Sequence, residues 1–110
     1  MTIRILGLEN CKRCKILRDA LEASRIEHAF SDCDHDPENC DALESLTGTN
    51  LYPMVLISDA DENLLEVVFL ASDYEQLKDP VSTQNGIRLI GNHSIEGLLR
   101  YTINRLHLNI

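Results

Sequence analysis

Apolar and polar positions in the first thirty residues follow the pattern of a strand, a helix and a second strand. Residues 3–8 form a short apolar run rich in isoleucine and leucine, which predicts a buried strand. Residues 12–24 carry apolar side chains at helical spacing with charged ones between them, so they predict an amphipathic helix. Residues 26–30 alternate with a period of two, which predicts a second strand. This order indicates a βαβ unit with parallel strands.

The second helix and the strands after it are marked by their boundary residues. Asp36 suits an N-cap, Pro37 suits the first helical position, and Gly48 suits the end of a helix. Two apolar segments follow, residues 52–57 and residues 64–70, with a turn-rich cluster between them. They predict a β-hairpin in which the second segment is the antiparallel partner of the first.

A last helix is predicted to begin after Ser94, its expected N-cap. Its apolar face comprises Ile95, Leu98, Leu99, Thr102, Ile103 and Leu106. Residues 71–92 show no regular pattern. Within them, the sequence is compatible with either a loop or one more short strand at residues 86–91. The chain thus predicts a single domain, residues 1–110, of the α/β class, with the order β-α-β-α-β-β-α and a four-stranded mixed sheet.

The composition is that of an ordinary globular domain, with 44% hydrophobic and 25% charged residues. No apolar run approaches the roughly 18 residues that a membrane span needs. The N-terminal apolar run is also too short for the core of a signal peptide. We therefore expect a cytoplasmic protein without membrane association. In a reducing compartment its four cysteines are more often catalytic, metal-binding or inert than members of a disulfide framework.

Charge is distributed unevenly along the chain. The formal net charge of -8 argues against binding to nucleic acid, because polyanions are repelled. Six of the ten lysines and arginines nevertheless lie in the first thirty positions, and residues 31–50 carry six acids and no base. Cys11 and Cys14 thus lie in a cationic segment of an acidic protein, which favours a thiolate and attracts an anionic partner.

Cys11 and Cys14 form a C-x-x-C pair at the junction of the first predicted strand and helix. Such a pair holds a metal, closes a structural disulfide, or cycles between dithiol and disulfide. Free N–H groups and the macrodipole at a helix N-terminus favour negative charge, so we expect Cys11 to be the attacking thiolate. Cys14 lies one turn inward, within bridging reach, and can attack a mixed disulfide formed at Cys11.

The motif and its surroundings resemble the glutaredoxin family within the thioredoxin fold. The stretches that carry the resemblance are IRILGL, CKRCKILRDALE and DPENCDALESLTGTNLYPMVLI. The resemblance implies a thiol-disulfide oxidoreductase with Cys11 and Cys14 as its catalytic residues, and a cis peptide bond at Tyr52-Pro53. The substrate-binding residues that it implies are Lys12, Arg13, Tyr52, Pro53 and Asp73.

The same resemblance implies a disulfide-containing protein or a glutathione mixed disulfide as substrate, and no tightly bound cofactor or metal. The reductant is expected to be glutathione or an enzyme like thioredoxin reductase, and we expect a monomer. Two departures bear on glutathione: Leu8 stands where glutaredoxins have a lysine, and their Gly-Gly-Asp segment corresponds to residues 71–73 or to residues 91–94. The choice depends on whether the fourth strand is residues 64–70, which hairpin length favours, or residues 87–90.

Two other classes of function stay open. The four cysteines, together with His35, supply donors for a zinc site or for an iron–sulfur cluster bridged between two chains. Their spacing is not that of a zinc finger. The second class is a thioredoxin-fold interaction module without redox turnover. Cys40 lies on the apolar face of its predicted helix, and no motif pairs Cys33 with another residue. We therefore expect both to lie outside the redox cycle.

Overall fold

The chain folds into a mixed arrangement of helices and strands. A computed structural model describes residues 1–71, 81–82 and 86–107, with residues 81–82 described by their backbone alone. In chain order the elements are β1 (Thr2–Gly7), α1 (Lys12–Ala23), β2 (Ala29–Asp32), α2 (Pro37–Thr47), β3 (Met54–Ser58), β4 (Leu64–Leu70), β5 (Val81–Ser82), β6 (Arg88–Asn92) and α3 (Ile95–His107). None of the described helices is both long enough and apolar enough to cross a membrane.

The strands form one mixed sheet in the order β2-β1-β3-β4-β6-β5. β1 is parallel to β2 and antiparallel to β3, and β4 is antiparallel to β3, as the predicted βαβ unit and hairpin require. The prediction of four strands is wrong. β6 adds a fifth strand, parallel to β4, and the two-residue β5 lies at the edge beyond it. Both candidates for the fourth strand are therefore strands, and the hairpin partner of β3 is residues 64–70.

The sequence left β6 open because its pairing partner lies about twenty residues away along the chain. Its second and third residues face opposite sides of the sheet. Leu89 packs against one apolar cluster, and Ile90, which is 6% exposed, belongs to the other. Such a strand of five residues is stabilised by the edge that β4 offers, and periodicity over so short a segment does not reveal that edge.

The second strand begins at Ala29 rather than at residue 26. The end of α1 occupies the intervening residues: Arg25 has a positive φ of 58°, and the Ile26 N–H donates to the Leu21 carbonyl at 2.9 Å. This hydrogen bond closes the last turn of α1 and directs the chain back toward the sheet. Pairing with β1 can start only after that turn.

The predicted bounds of α2 are confirmed. Pro37 is its first residue, and Gly48 after its end has a left-handed φ of 75° and donates its N–H to the Glu44 carbonyl at 2.8 Å. Asp36 holds the N-cap position, but its carboxylate accepts the Asn39 side-chain N–H at 2.7 Å instead of a backbone N–H. The helix therefore starts with the help of the proline rather than of a side-chain cap.

The predicted start of α3 is confirmed as well. The Ser94 hydroxyl accepts the Gly97 N–H at 3.1 Å, which is the expected N-cap. Leu98 and Thr102 on its predicted apolar face are fully buried. α3 therefore packs with the face that the periodicity of the sequence indicated.

The sheet carries an apolar core on each of its faces. The core under α1 and α3 comprises Ile3, Ile5, Leu17, Leu21, Val55, Ile57, Val68, Leu70, Ile90 and Leu98. The core under α2, called here the α2-side cluster, comprises Leu6, Cys14, Cys33, Cys40, Tyr52, Met54 and Phe69. Removing these side chains from water holds the three described helices on the sheet. All four cysteines contribute to or contact the α2-side cluster, since Cys11 packs against it.

The segments that carry the sulfurs lie at one edge of the sheet, which is formed by the ends of the strands and not by an outermost strand. β1, β2, β4 and β6 run in the same direction, so their C-terminal ends meet at this edge. The start of β3 lies at the same edge, because Met54 pairs with Leu6 near the end of β1. Cys11 follows β1, Cys33 follows β2, and Tyr52-Pro53 precedes β3. The topology thus makes these three segments neighbours.

A buried network of charged and polar side chains, centred on β4, connects α3 to the sheet. Glu66 in β4 is 1% exposed. Its carboxylate accepts hydrogen bonds from Arg105 at 2.8 Å, Tyr101 at 2.9 Å and Arg88 at 3.1 Å. Burial, followed by the hydrogen bond to Glu66, raises the pKa of Tyr101 to about 12. Donors from β6 and α3 therefore converge on a single carboxylate of β4.

Candidate functional site

Cys11 occupies the N-cap of α1, just beyond the end of β1. Its backbone is extended, with φ -86° and ψ 114°, and its Sγ accepts the Cys14 N–H at 3.2 Å. The sulfur thus satisfies one of the N–H groups that the start of a helix leaves without a partner, as a serine or aspartate does in other helices. The Cys11 sulfur therefore lies at the N-terminus of α1, the positive end of the helix dipole.

Cys14 is the buried member of the pair. It is 1% exposed, whereas Cys11 is half-buried. Burial raises the pKa of the Cys14 thiol to about 12, with the hydrogen bond to Cys11 as the second cause, and the positive charge of Arg13 opposes this rise. At neutral pH Cys14 is therefore a neutral thiol. The two cysteines therefore differ in their access to solvent.

Gly7 leaves the space that the Cys14 side chain occupies. A Cβ atom at residue 7 would lie 2.7 Å from the Cys14 Sγ and 3.2 Å from the Phe30 ring. Real Cβ atoms essentially never approach another atom below 3.0 Å, so any larger residue here would displace the thiol or the strand. The end of β1 and the buried sulfur thus pack in direct contact.

Tyr52-Pro53 lies beside Cys11, and the expected cis peptide bond is present. The Cys11 Sγ lies 4.0 Å from the Tyr52 carbonyl oxygen, at the outer limit of a thiol hydrogen bond. The Tyr52 hydroxyl donates to the Glu44 carboxylate at 2.7 Å. Burial, and then this contact with Glu44, raise the pKa of Tyr52 well above its usual range. Tyr52 therefore joins α2 to the neighbourhood of Cys11, and Pro53 beside it is buried.

Lys12 and Arg13 lie exposed on the first turn of α1, beside Cys11. Neither forms an ion pair with any other residue that the structure describes. Lys15, one turn further on, is paired with Asp19 at 2.8 Å and is therefore partly neutralised. Lys12 and Arg13, next to the half-buried Cys11, are therefore available to bind an anionic group of a partner.

Asp73, the last of the expected substrate-binding residues, lies outside the described residues. The chain that leads toward it is described as far as Ala71, whose N–H donates to the Asn92 carbonyl at 2.8 Å. Asn92 ends β6, and Gly91 to Ser94 is the other segment that the sequence offered for this role. Ala71 and Asn92 both lie at the edge that carries the sulfurs, because β4 and β6 are parallel neighbours.

Cys33 and Cys40 form a disulfide, which the sequence interpretation missed. Their Cα atoms lie 5.7 Å apart, and the residues are 8% and 2% exposed. The interpretation that Cys33 has no partner is therefore wrong. The available signal was the position of the two residues: one follows a strand, and the other lies in the first turn of the next helix, at the same edge of the sheet.

The disulfide also bears on the zinc alternative. Sulfurs bonded to each other do not act as thiolate ligands, so Cys33 and Cys40 are not available beside Cys11 and Cys14 in this form. The described residues contain no group of three or more histidine, cysteine or acidic side chains placed to hold a metal ion. His35 is exposed and its Nδ1 lies 2.9 Å from the Asp32 carboxylate.

Two cavities differ in their relation to these sulfurs. A groove of about 740 Å³ lies at the opposite end of β1, between Met1 and Phe30, and includes none of the cysteines in its wall. A smaller cavity of about 260 Å³ runs along α1 and reaches Cys14 between Leu8 and Lys15. The sulfur pair, rather than the volume of a cavity, therefore defines the candidate site.

The arrangement has the parts that disulfide exchange requires. A half-buried cysteine lies at a helix N-terminus, and a protonated thiol lies behind it on the same helix turn. Lys12 and Arg13 lie beside them and form no ion pair with a described residue. Neither a protein-family model nor a curated protein sequence matches the chain. The resemblance to glutaredoxins therefore rests on the residues and motifs of the chain itself.

Proposed function

We propose that this protein is a glutaredoxin-like thiol-disulfide oxidoreductase that reduces disulfides through the Cys11–Cys14 dithiol. The single observation that carries the proposal is the asymmetry of the two sulfurs. Cys11 is half-buried and accepts a helix N–H at 3.2 Å, whereas Cys14 is 1% exposed with a pKa raised by burial to about 12. An attacking sulfur needs access and charge, and a resolving sulfur needs protection until the first step is complete.

In the first step the Cys11 thiolate attacks one sulfur of a substrate disulfide. The substrate disulfide breaks, one substrate thiolate leaves and takes up a proton, and Cys11 becomes part of a mixed disulfide. Cys14 then loses its proton and attacks the Cys11 sulfur. The second substrate thiolate leaves, and the protein holds a Cys11–Cys14 disulfide, so two electrons have passed to the substrate. A thiol reductant regenerates the dithiol.

The causes of the raised Cys14 pKa fit this order of events. Besides burial, the hydrogen bond and the negative charge of Cys11 raise that pKa. The contribution of the charge ends when Cys11 enters a mixed disulfide, because its sulfur is then uncharged. Cys14 is therefore hardest to ionise in the resting dithiol and easier to ionise once there is a mixed disulfide to resolve.

The proposal includes a thioredoxin-like fold. It is supported by the order β2-β1-β3-β4, in which β1 is parallel to β2 and antiparallel to β3. It is also supported by α2 packing on the face opposite α1 and α3, and by a cis Tyr52-Pro53 bond whose carbonyl oxygen lies 4.0 Å from the Cys11 sulfur. β6 and the edge strand β5 extend this arrangement beyond β4.

The proposed substrates are disulfide-containing proteins or glutathione mixed disulfides in the cytoplasm, and the protein acts as a monomer. Lys12 and Arg13 are free to bind anionic groups of such partners. The backbone of Tyr52 beside Cys11 is placed to pair with an extended substrate segment. Glutathione and a thioredoxin-reductase-like enzyme are the two proposed reductants.

The test uses two single-cysteine variants of the C-x-x-C pair. Cys14→Ser keeps the attacking sulfur and should accumulate a mixed disulfide with bis(2-hydroxyethyl) disulfide, visible by mass spectrometry of the intact protein. Cys11→Ser should form no such adduct over the same time, because the remaining thiol is buried. An adduct on Cys11→Ser equal to that on Cys14→Ser, or no adduct on either folded variant, would refute the proposal.

A further inference from the structure

The Cys33–Cys40 disulfide lies beside the Cys11–Cys14 site but takes no part in the exchange chemistry proposed for it. Both bonded cysteines belong to the α2-side cluster, together with Cys14 and Tyr52. They are 8% and 2% exposed, so solvent does not reach the bond freely. The bond connects the end of β2 to the start of α2.

One route of contact runs from Cys33 through the end of β1. The Cys33 N–H donates to the Gly7 carbonyl at 2.8 Å. Gly7 in turn packs directly on Cys14, where an added Cβ would lie 2.7 Å from the sulfur. A displacement of Cys33 is thus separated from the resolving thiol by one hydrogen bond and one close contact.

A second route runs from Cys40 along α2. Glu44, one turn after Cys40 on the same helix, accepts the Tyr52 hydroxyl at 2.7 Å. The Tyr52 carbonyl oxygen lies 4.0 Å from the Cys11 sulfur. A displacement of the first turns of α2 therefore reaches the attacking thiol through a single side chain.

We propose that Cys33–Cys40 is a redox-controlled clamp that holds the Cys11–Cys14 site in its reactive geometry when oxidised and slackens it when reduced. Bonded sulfurs lie about 2 Å apart, whereas two thiols need roughly 3.5 to 4 Å. In a buried, close-packed cluster this increase moves the end of β2 or the start of α2. Both routes then carry the movement to the site. The proposal rests on the function proposed above, because it assigns a regulation to that same pair.

The switching step is an ordinary dithiol exchange. A dithiol reductant attacks one sulfur of Cys33–Cys40 and then closes on itself as a cyclic disulfide, leaving two thiols on the protein. Two electrons and two protons pass from reductant to protein, and a disulfide oxidant reverses the step. Because the bond is buried, the segment around the exposed Asp34 and His35 must open first, so reduction is slower here than at Cys11–Cys14.

The expected cytoplasmic location favours a regulatory role of this disulfide over a structural one. In a reducing cytosol a lasting structural disulfide is rare, and the disulfides found there are mostly transient, catalytic or redox-sensing. A domain of 110 residues buries enough surface to fold without such a staple. A buried disulfide that contacts a second cysteine pair through two routes therefore fits a sensing role better than a stabilising one.

The test compares wild-type protein in two redox states. Brief dithiothreitol treatment reduces Cys11–Cys14 alone, prolonged treatment reduces all four cysteines, and peptide mass spectrometry verifies each state. The rate of Cys11 alkylation by iodoacetamide reports the clamp without depending on redox activity. The rate of reduction of bis(2-hydroxyethyl) disulfide reports the proposed function. Cys33→Ser/Cys40→Ser provides a permanently open form, and circular dichroism checks its fold.

Cys11 alkylation should be at least fivefold slower in the fully reduced protein and in the double variant, and should recover after reoxidation of Cys33–Cys40. A difference below twofold between the two wild-type states, or no Cys33–Cys40 disulfide after oxidation, would overturn the clamp. If the double variant does not fold, the two wild-type states still decide. Exchange that is absent in both states, with alkylation still responding, supports the clamp and refutes the oxidoreductase. Active exchange with unresponsive alkylation does the reverse.

Discussion

Cys14 is a thiol that the fold protects from ionising. It is 1% exposed, and burial raises its pKa to about 12. Gly7 on one side and the helix backbone on the other leave it little room to move. At the scale of residues, the proposed chemistry thus depends on a contrast between two sulfurs only three positions apart. Two substitutions test that contrast.

The first prediction concerns the pH dependence of stability. The folded pKa of Cys14, about 12, lies above the reference value of 9.0, so the folded state binds this proton more tightly than the unfolded state does. Its contribution to stability is fully present below about pH 9 and is lost as the pH rises toward 12. In denaturant titrations of reduced protein, wild type should lose more unfolding free energy between pH 8 and pH 10.5 than Cys14→Ala. Equal losses in the two proteins would contradict the assignment.

The second prediction concerns Gly7. In Gly7→Ala the new methyl would lie 2.7 Å from the Cys14 sulfur, so the buried thiol or the end of β1 must move. We expect a loss of about 1–3 kcal/mol in unfolding free energy, the usual range for an overpacked core. Gly97→Ala is the matched control, because its methyl meets the flexible Asn92 side chain at 3.2 Å on a helix that favours alanine. A Gly7→Ala protein as stable as the control would show that the contact is not tight.

At the scale of elements, β4, β6 and α3 are joined through one buried carboxylate. Glu66 is 1% exposed, whereas the side chain of Arg88 is 47% exposed and that of Arg105 is 24% exposed. If the network is broken, water can hydrogen-bond to the partly exposed arginines. A carboxylate buried like that of Glu66 cannot be solvated in the same way. Its loss leaves the donors of two elements without their shared partner.

The third prediction follows from this inequality. Glu66→Ala should cost about 3–5 kcal/mol of unfolding free energy, as is typical when a buried ion pair loses one partner. Arg88→Ala should cost about 1 kcal/mol or less, because its guanidinium is close to water and Glu66 keeps two other donors. Thermal and denaturant unfolding of the two variants measure both losses. A cost for Arg88→Ala that equals that of Glu66→Ala would mean the network is not centred on the carboxylate.

The elements differ in how well the sequence predicted them. The bounds of α1 and α2 followed from local signals, such as apolar spacing, Pro37 and Gly48. β6 did not, because its pairing with β4 depends on residues that are distant along the chain. The Cys33–Cys40 bond joins residues only seven positions apart. The sequence did not predict it because the course of the chain from the end of β2 into the first turn of α2, which brings the two sulfurs together, has no motif of its own.

At the scale of the whole molecule, charge separates the candidate site from the rest of the surface. The chain has a formal net charge of -8, yet Lys12 and Arg13 stand beside Cys11 without an ion pair to another described residue. An anionic substrate is repelled by the molecule at long range and attracted at the sulfur at short range. The sequence predicted this clustering, because both cations lie inside the motif itself.

The fourth prediction uses substrates of different charge. In Lys12→Ala/Arg13→Ala, exchange with the dianionic 5,5′-dithiobis(2-nitrobenzoate) should slow by about threefold or more at low salt, and the difference should shrink as salt screens the charges. Exchange with the neutral bis(2-hydroxyethyl) disulfide should change little. Lys15→Ala is the matched control, since Lys15 is already paired with Asp19. If Lys15→Ala slows exchange with the dianionic reagent as much as Lys12→Ala/Arg13→Ala does, or if the double variant slows both reagents equally, recognition by the two cations is contradicted.

The most direct measurement is a redox titration of the intact protein against glutathione buffers, with peptide mass spectrometry identifying each disulfide at every potential. Our account predicts that Cys11 and Cys14 interconvert reversibly between dithiol and disulfide in one two-electron step. The midpoint should lie between about -120 and -270 mV, the range of known disulfide oxidoreductases. A Cys11–Cys14 pair that never bonds in the folded protein, or that bonds only together with a loss of structure, would contradict it.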